Sequence, residues 1–159
     1  MEALLPFLVL MGVGWVIVSI TSRVRRAANQ QIFSRGAHQK GTEYRKSRSF
    51  LTTLEPDDLI ARLVDAIGAP TQPTNALYPS TFLAHRDARV VTYRHASKIQ
   101  SCFTVRLSAV AARTGSELTW TVPEWSESDG VMAGLDKIEE LKNQVSQVAA
   151  TYRPRDGSP

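Results

Sequence analysis

The sequence contains very few of the side chains on which metal sites and disulfides depend. Cys102 is the one cysteine among 159 residues, so neither an intramolecular disulfide nor a thiol pair for redox or metal chemistry can form. The histidines are His38, His85 and His95. The last two flank a predicted turn at Asp87-Ala88, which would hold them about 17 Å apart on paired strands, too far to share one metal ion. The sequence therefore predicts no metal site.

Catalytic motifs are absent too. We find no phosphate-binding glycine loop, no serine-centred elbow and no helix carrying a pair of metal ligands. Cys102 has no histidine near it in sequence to act as a base, so we expect an unreactive, half-buried thiol. Five carboxylates stand at predicted helix starts, where capping explains them: Asp57, Asp58, Glu124, Glu127 and Asp129. The sequence favours a non-enzymatic protein without a cofactor, and leaves catalysis open.

The positive charge is confined to one short segment. Residues 23–48 carry eight Lys/Arg against one acidic residue, whereas residues 49–159 carry eleven against thirteen. A nucleic-acid-binding protein is expected to place its positive charge on the folded domain. The acidic balance of residues 49–159 therefore argues against a nucleic-acid partner.

One long apolar run, Ala3–Ser22, contains no charged residue and no histidine. Twenty helical residues span about 30 Å, the thickness of the bilayer hydrocarbon, so the run predicts a transmembrane helix. A cleaved signal peptide is the less favoured alternative, because Glu2 gives the start the wrong charge and arginines follow the run. The positive-inside rule then places the N-terminus outside and the rest of the chain in the cytoplasm.

Residues 23–48 predict a basic juxtamembrane segment and linker. The first part carries the arginine cluster Arg23, Arg25 and Arg26, which either sets the topology or also contacts anionic lipid. From Gly36 to Ser47 the composition is polar, which is typical of a linker. We place a soluble domain at residues 49–152 and a disordered tail at 153–159.

The residue patterns of the soluble domain predict an α+β fold with the element order β-α-β-β-β-β-α. Its antiparallel sheet is expected to have four or five strands. A short strand at residues 49–54 precedes a helix that Pro56 opens and Gly68 ends. Four strand-like runs follow, at residues 81–86, 89–95, 99–112 and 117–125. The third run alternates strictly between apolar and polar residues, which predicts one buried face and one wet or covered face.

Residues 131–152 predict a long amphipathic helix of about six turns, since apolar residues recur at steps of three and four. Two interpretations stay open. The helix covers the sheet, or its apolar stripe binds a protein partner or a second copy of the chain. Trp120 and Phe103 would face the space between sheet and helix, which is either a filled core or an aromatic-lined cavity.

This element order resembles a shortened form of the helix-grip arrangement of the START and polyketide-cyclase-like superfamily. Members of that superfamily curl a sheet around a long final helix and often bind lipids or other apolar molecules. The resemblance covers about residues 49–152 and rests on element order alone, and the chain has fewer strands than the full fold. A cavity of this kind would be lined by Phe103, Leu107, Trp120 and Leu135.

These observations favour a single-pass membrane protein whose cytoplasmic domain is a non-enzymatic protein-binding or scaffolding module. One alternative is a membrane-tethered binder or carrier of an apolar small molecule. Another is an accessory subunit of a larger membrane complex, in which the transmembrane helix is itself the interaction element.

Overall fold

A computed structural model describes residues 34–128 and 131–154 of the chain. The predicted transmembrane helix and the arginine cluster lie outside these residues, as does the tail beyond residue 154. Within the described ranges, no helix combines the length and the apolarity that crossing a bilayer requires. The elements are α1 (Ser34–Arg45), β1 (Arg48–Thr52), α2 (Pro56–Ile67), β2 (Ser80–Arg86), β3 (Val90–Ala96), β4 (Ser101–Ala112), β5 (Gly115–Trp125), β6 (Glu127–Ser128), β7 (Val131–Met132) and α3 (Leu135–Thr151).

The predicted α+β class and antiparallel sheet are confirmed. Five strands form one sheet in the order β1-β5-β4-β3-β2, and every neighbouring pair is antiparallel. Strands β2 to β5 form a meander joined by short turns. Strand β1 lies at the far edge, beside β5, so it pairs with a strand more than sixty residues later in the chain. A second, two-stranded sheet joins β6 to β7.

The core lies on one face of the large sheet, under the helices. On β4 the alternation places Phe103, Val105 and Leu107 in the core with no exposed surface. On the other side of the same strand Arg106 and Val110 are exposed. Helix α2 completes the core with Leu59, Ile60 and Leu63, and α3 completes it with Ile138, Leu141 and Val145. Burying these side chains is the main term that stabilises the fold.

Helix α1 occupies the stretch in which the composition predicts a linker. Among the α1 side chains that the structure describes, the large buried one is Tyr44, which is 5% exposed. The indole Nε1–H of Trp120 donates a hydrogen bond of 3.2 Å to the backbone carbonyl of Tyr44, and the Lys142 ammonium lies 4.7 Å from the centre of the Tyr44 ring. These contacts involve an aromatic ring and polar groups, so they require no apolar stripe in the sequence of the helix.

The final helix is shorter than predicted. It begins at Leu135, whereas Val131 and Met132 form β7. Gly134 precedes the helix with φ +74°, a left-handed conformation that ends the extended segment and that glycine adopts without strain. Val131 matches the apolar spacing of the helix by coincidence, since the backbone changes direction between Val131 and Leu135.

Candidate functional site

A groove of about 550 Å³ runs between the edge strand β1 and the C-terminal half of α3. Its volume lies within the range of about 300–1,000 Å³ that is usual for ligand sites. The lining residues are Ser49, Phe50, Leu51, Ser146, Ala149, Ala150, Arg153 and Pro154.

The groove follows the open edge of the sheet. Successive side chains of a strand point to opposite faces, yet the groove contacts Ser49, Phe50 and Leu51 in succession. A cavity over one face would contact every second residue. Among the described residues β1 pairs with β5 alone, so alternate N–H and C=O groups of β1 point away from the sheet, toward the groove side.

The wall opposite β1 is made of small side chains. Ala149 and Ala150 lie three and four residues after Ser146, the two spacings that place side chains on one helix face. Because these side chains are short, α3 leaves space beside the strand instead of closing over it. Leu51, on the strand side, is 59% exposed although it is large and apolar. The groove therefore offers an apolar surface that nothing in the described chain covers.

One end of the groove is fastened by backbone contacts. The N–H of Thr53, the residue after β1, donates a 2.7 Å hydrogen bond to the carbonyl of Tyr152 at the end of α3. The Thr53 hydroxyl donates to the same carbonyl at 3.1 Å. These two bonds hold the strand and the helix at a fixed separation, so the groove exists before anything occupies it.

Among the described lining residues, the charged side chain suits binding, and no acid–base pair is present. Arg153, an exposed residue at the mouth, is the charged side chain among the lining residues. A guanidinium in this position can pair with a carboxylate of an occupant. None of the lining residues that the structure describes is a carboxylate, a histidine or a cysteine.

The four residues predicted to line an apolar cavity lie elsewhere. Phe103 and Leu107 have no exposed surface and Trp120 is 1% exposed, all within the main core. Leu135, at the start of α3, is partly exposed and packs against that core. Phe103 stacks on His95 with 5.2 Å between ring centres, and Trp120 contacts the Tyr44 carbonyl. Cys102 is buried, and burial raises the pKa of its thiol.

A second cavity of about 410 Å³ lies at the other edge of the sheet, between β2 and the first half of α3. His95, which is 7% exposed, lines it together with Thr81 and Lys137. The Thr81 hydroxyl and His95 Nδ1 are 3.0 Å apart, within hydrogen-bonding distance. Burial lowers the pKa of the His95 imidazole, with a smaller opposing effect from the carboxylate of Asp136 and a further lowering by Lys137.

Because His95 is buried, we expect the folded protein to lose stability when the pH is lowered. The unfolded chain takes up a proton near the ordinary histidine pKa of 6.5, whereas the folded chain does so at a lower pH. The free energy of unfolding should therefore fall as the pH drops from about 6.5 toward the lowered pKa of the folded state. Urea titrations across this pH range would measure it. His95→Gln should flatten the slope, and the matched control His85→Gln, at an exposed position on β2, should keep it. A wild-type slope in H95Q would contradict the prediction.

Sequence reasoning missed the groove because its two walls are distant in the chain. The groove lies between a strand at residues 48–52 and the last turns of a helix near residue 150. The pairing of β1 with β5 and the hydrogen bonds from Thr53 to Tyr152 bring these two walls together. One signal was available. The run Ser146-Gln147-Val148-Ala149-Ala150 interrupts the large apolar residues of the helix with small ones.

Comparison with known proteins gives little further information. No family model matches the chain, and no curated protein is significantly similar to it. Among solved structures, the crystal structure of protein MLL2253 from Mesorhizobium loti is similar over 67% of this chain and 96% of its own, with 10% sequence identity and a TM-score of 0.39. A similarity at this level says nothing about function.

Proposed function

We propose that this chain is a single-pass membrane protein whose cytoplasmic domain binds an extended segment of a protein partner. The segment would add to the sheet as a further strand beside β1, in the groove against α3. The observation that carries the proposal is an open apolar groove that follows a strand edge to which no described segment pairs. Main-chain hydrogen bonds to such an edge supply affinity, and the pockets beside it supply specificity for alternate side chains.

The residues that line the groove predict the chemistry of the extended segment that would bind there. Because alternate side chains of the added strand would point toward α3, the segment needs apolar residues at every second position. Ser146, Ala149 and Ala150 leave room there for large side chains. Arg153 at the mouth favours an acidic residue or a free C-terminal carboxylate at one end of the segment.

The test is a selection of random peptides from a phage-displayed library on the full chain in lipid nanodiscs. Ala150 is exposed and lines the groove, so Ala150→Trp fills the binding space without entering the core. Enriched peptides should alternate apolar residues, carry the acidic group, and lose affinity for A150W by about tenfold or more, which corresponds to roughly 1.4 kcal/mol.

The matched control is Ala66→Trp, the same substitution at an exposed position on α2 outside the groove. This variant should bind the enriched peptides as the wild type does. Peptides that bind A150W as tightly as the wild type, or a library that yields no enriched sequence, would contradict the proposal.

An apolar small molecule is the alternative occupant, as the helix-grip resemblance implies. The rate of hydrogen exchange at the β1 amides distinguishes a bound peptide from a bound small molecule. A bound peptide strand should slow exchange of amides in β1, because its carbonyls accept bonds from the free N–H groups of the edge. An apolar molecule has no row of acceptors, so it would fill the groove and leave those amides exchanging at the unbound rate.

A further inference from the structure

Two loops at one end of the sheet project large apolar side chains into solvent. Leu77 is 63% exposed and Tyr78 72%, both in the connection from α2 to β2, and Ile99 is 76% exposed in the turn from β3 to β4. We call these three residues the apolar tip. Soluble surfaces seldom gather large apolar residues at their most exposed points without a partner.

The tip is a convex structure with an ordered backbone. The N–H of Lys98 donates a 3.1 Å hydrogen bond to the carbonyl of Ala76, which joins the two loops. Asn75 Oδ1 accepts from the N–H groups of Leu77 and Tyr78, at 2.8 and 3.2 Å. Ser97 closes the other turn by donating from its N–H to the carbonyl of Gln100 at 2.7 Å. The side chains are therefore presented outward by a fixed backbone.

The start of α1 lies at the same end of the domain. Lys40 pairs with Glu139 at 3.6 Å, and Tyr44 lies beneath Lys142, so α1 runs in the same direction as α3. The start of α3 is at the tip end, because Gly134 packs against His95 and Phe103, which flank the β3–β4 turn. Ser34 precedes Lys40 by six residues, about 9 Å further toward this end.

We infer that the apolar tip inserts into the interfacial layer of the bilayer that holds the predicted transmembrane helix. The residues before Ser34 include the arginine cluster and Ala3–Ser22, and the chain joins them at the tip end of the domain. Tyr78 in the tip and Lys98 beside Ile99 are suited to this layer, since each side chain has an apolar body and a polar end. The domain then rests on the membrane at two places, the start of α1 and the tip. The inference shares the membrane anchor with the proposed function but is independent of the groove.

The experiment uses the full chain in vesicles of phosphatidylcholine and phosphatidylglycerol, with Cys102→Ser to remove the native thiol. An environment-sensitive fluorophore is attached at Ile99→Cys, in the tip, or at Val110→Cys. Val110 is the matched control because it is apolar, 59% exposed and at the opposite end of the sheet on β4. A quencher carried near the top of the lipid acyl chain reports contact with the interfacial layer.

The label at residue 99 should lose roughly half of its fluorescence, because interfacial elements lie about 5–10 Å into the headgroup boundary. The label at residue 110 should lose none. Equal quenching at both positions, or none at residue 99, would overturn the inference and leave peptide binding untouched. Shielding of residue 99 from aqueous quenchers without lipid quenching would indicate a protein contact and also overturn it. A chain that does not float with the vesicles would overturn it together with the anchor.

Discussion

Replacing Gly115 with alanine should destabilise the domain by about 3 kcal/mol or more, because two costs add at this position. Gly115 opens β5 with φ +117°, a sparsely populated conformation that costs an L-residue about 1–3 kcal/mol. An alanine Cβ would also press directly against the carbonyl oxygen of Thr52 and lie 2.7 Å from the backbone carbon of Thr53. These backbone atoms cannot move without separating β1 from β5.

Chemical denaturation of the full chain in one detergent, followed by tryptophan fluorescence, would measure this loss. Gly36→Ala is the matched control. Gly36 lies in α1, and a Cβ there would meet no atom within 4 Å. In a helix this substitution should stabilise by roughly 0.5–1 kcal/mol. A loss of less than about 0.5 kcal/mol in G115A, the usual size of a surface effect, would show that β1 moves aside easily.

The effect of G115A bears on function, since Thr52 and Thr53 connect the sheet edge to the groove. Thr52 Oγ1 lies 3.0 Å from the Ser116 hydroxyl, and Thr53 bonds to Tyr152. If the proposed function holds, G115A should weaken peptide binding even at temperatures where the core stays folded, because the two walls lose their fixed separation.

Local patterns were sufficient to predict most of the fold. The strands β2 to β5 lie within about two residues of the predicted runs, since alternation and the turns between neighbours are both written into consecutive residues. Helix α2 was predicted for the same reason. Its first turn holds Pro56 and two aspartates. Gly68 ends the helix with a left-handed conformation, and its N–H donates a 3.0 Å hydrogen bond to the Val64 carbonyl.

The features that sequence reasoning missed depend on contacts between distant residues. Helix α1 has a polar composition, and Tyr44 becomes buried only when the long helix and Trp120 are placed beside it. The predicted cavity residues Phe103, Leu107 and Trp120 lie buried in the core. Whether a core is filled depends on packing in three dimensions, which the sequence pattern does not show. The groove arises from small side chains on α3. The sequence shows where these small residues interrupt the apolar pattern, but it does not show that a strand edge lies beside them.

Trp120 is the other position at which a single change should have a large effect. It is the largest fully buried side chain of the described chain, and it lies on β5 between Arg48 of β1 and Leu107 of β4. Trp120→Ala should lower the free energy of unfolding by about 3–5 kcal/mol, the usual cost of removing so large a side chain from a core. Trp125→Ala is the matched control, since Trp125 is 43% exposed. Urea titration measures the free energy of unfolding of both variants. An equal loss in Trp120→Ala and Trp125→Ala would contradict the prediction.

Trp120→Phe separates the two roles of this side chain. Phenylalanine keeps most of the apolar volume but cannot donate a hydrogen bond, so the Tyr44 carbonyl loses its partner at a cost of about 1–3 kcal/mol. Because that bond joins α1 to the sheet, the loss should concentrate in α1, and hydrogen exchange should accelerate in residues 34–45 more than in β4 or β5. Uniform acceleration would mean that Trp120 acts through volume alone. A selective effect would identify this bond as the link between the core and the segment that leads toward the predicted membrane anchor.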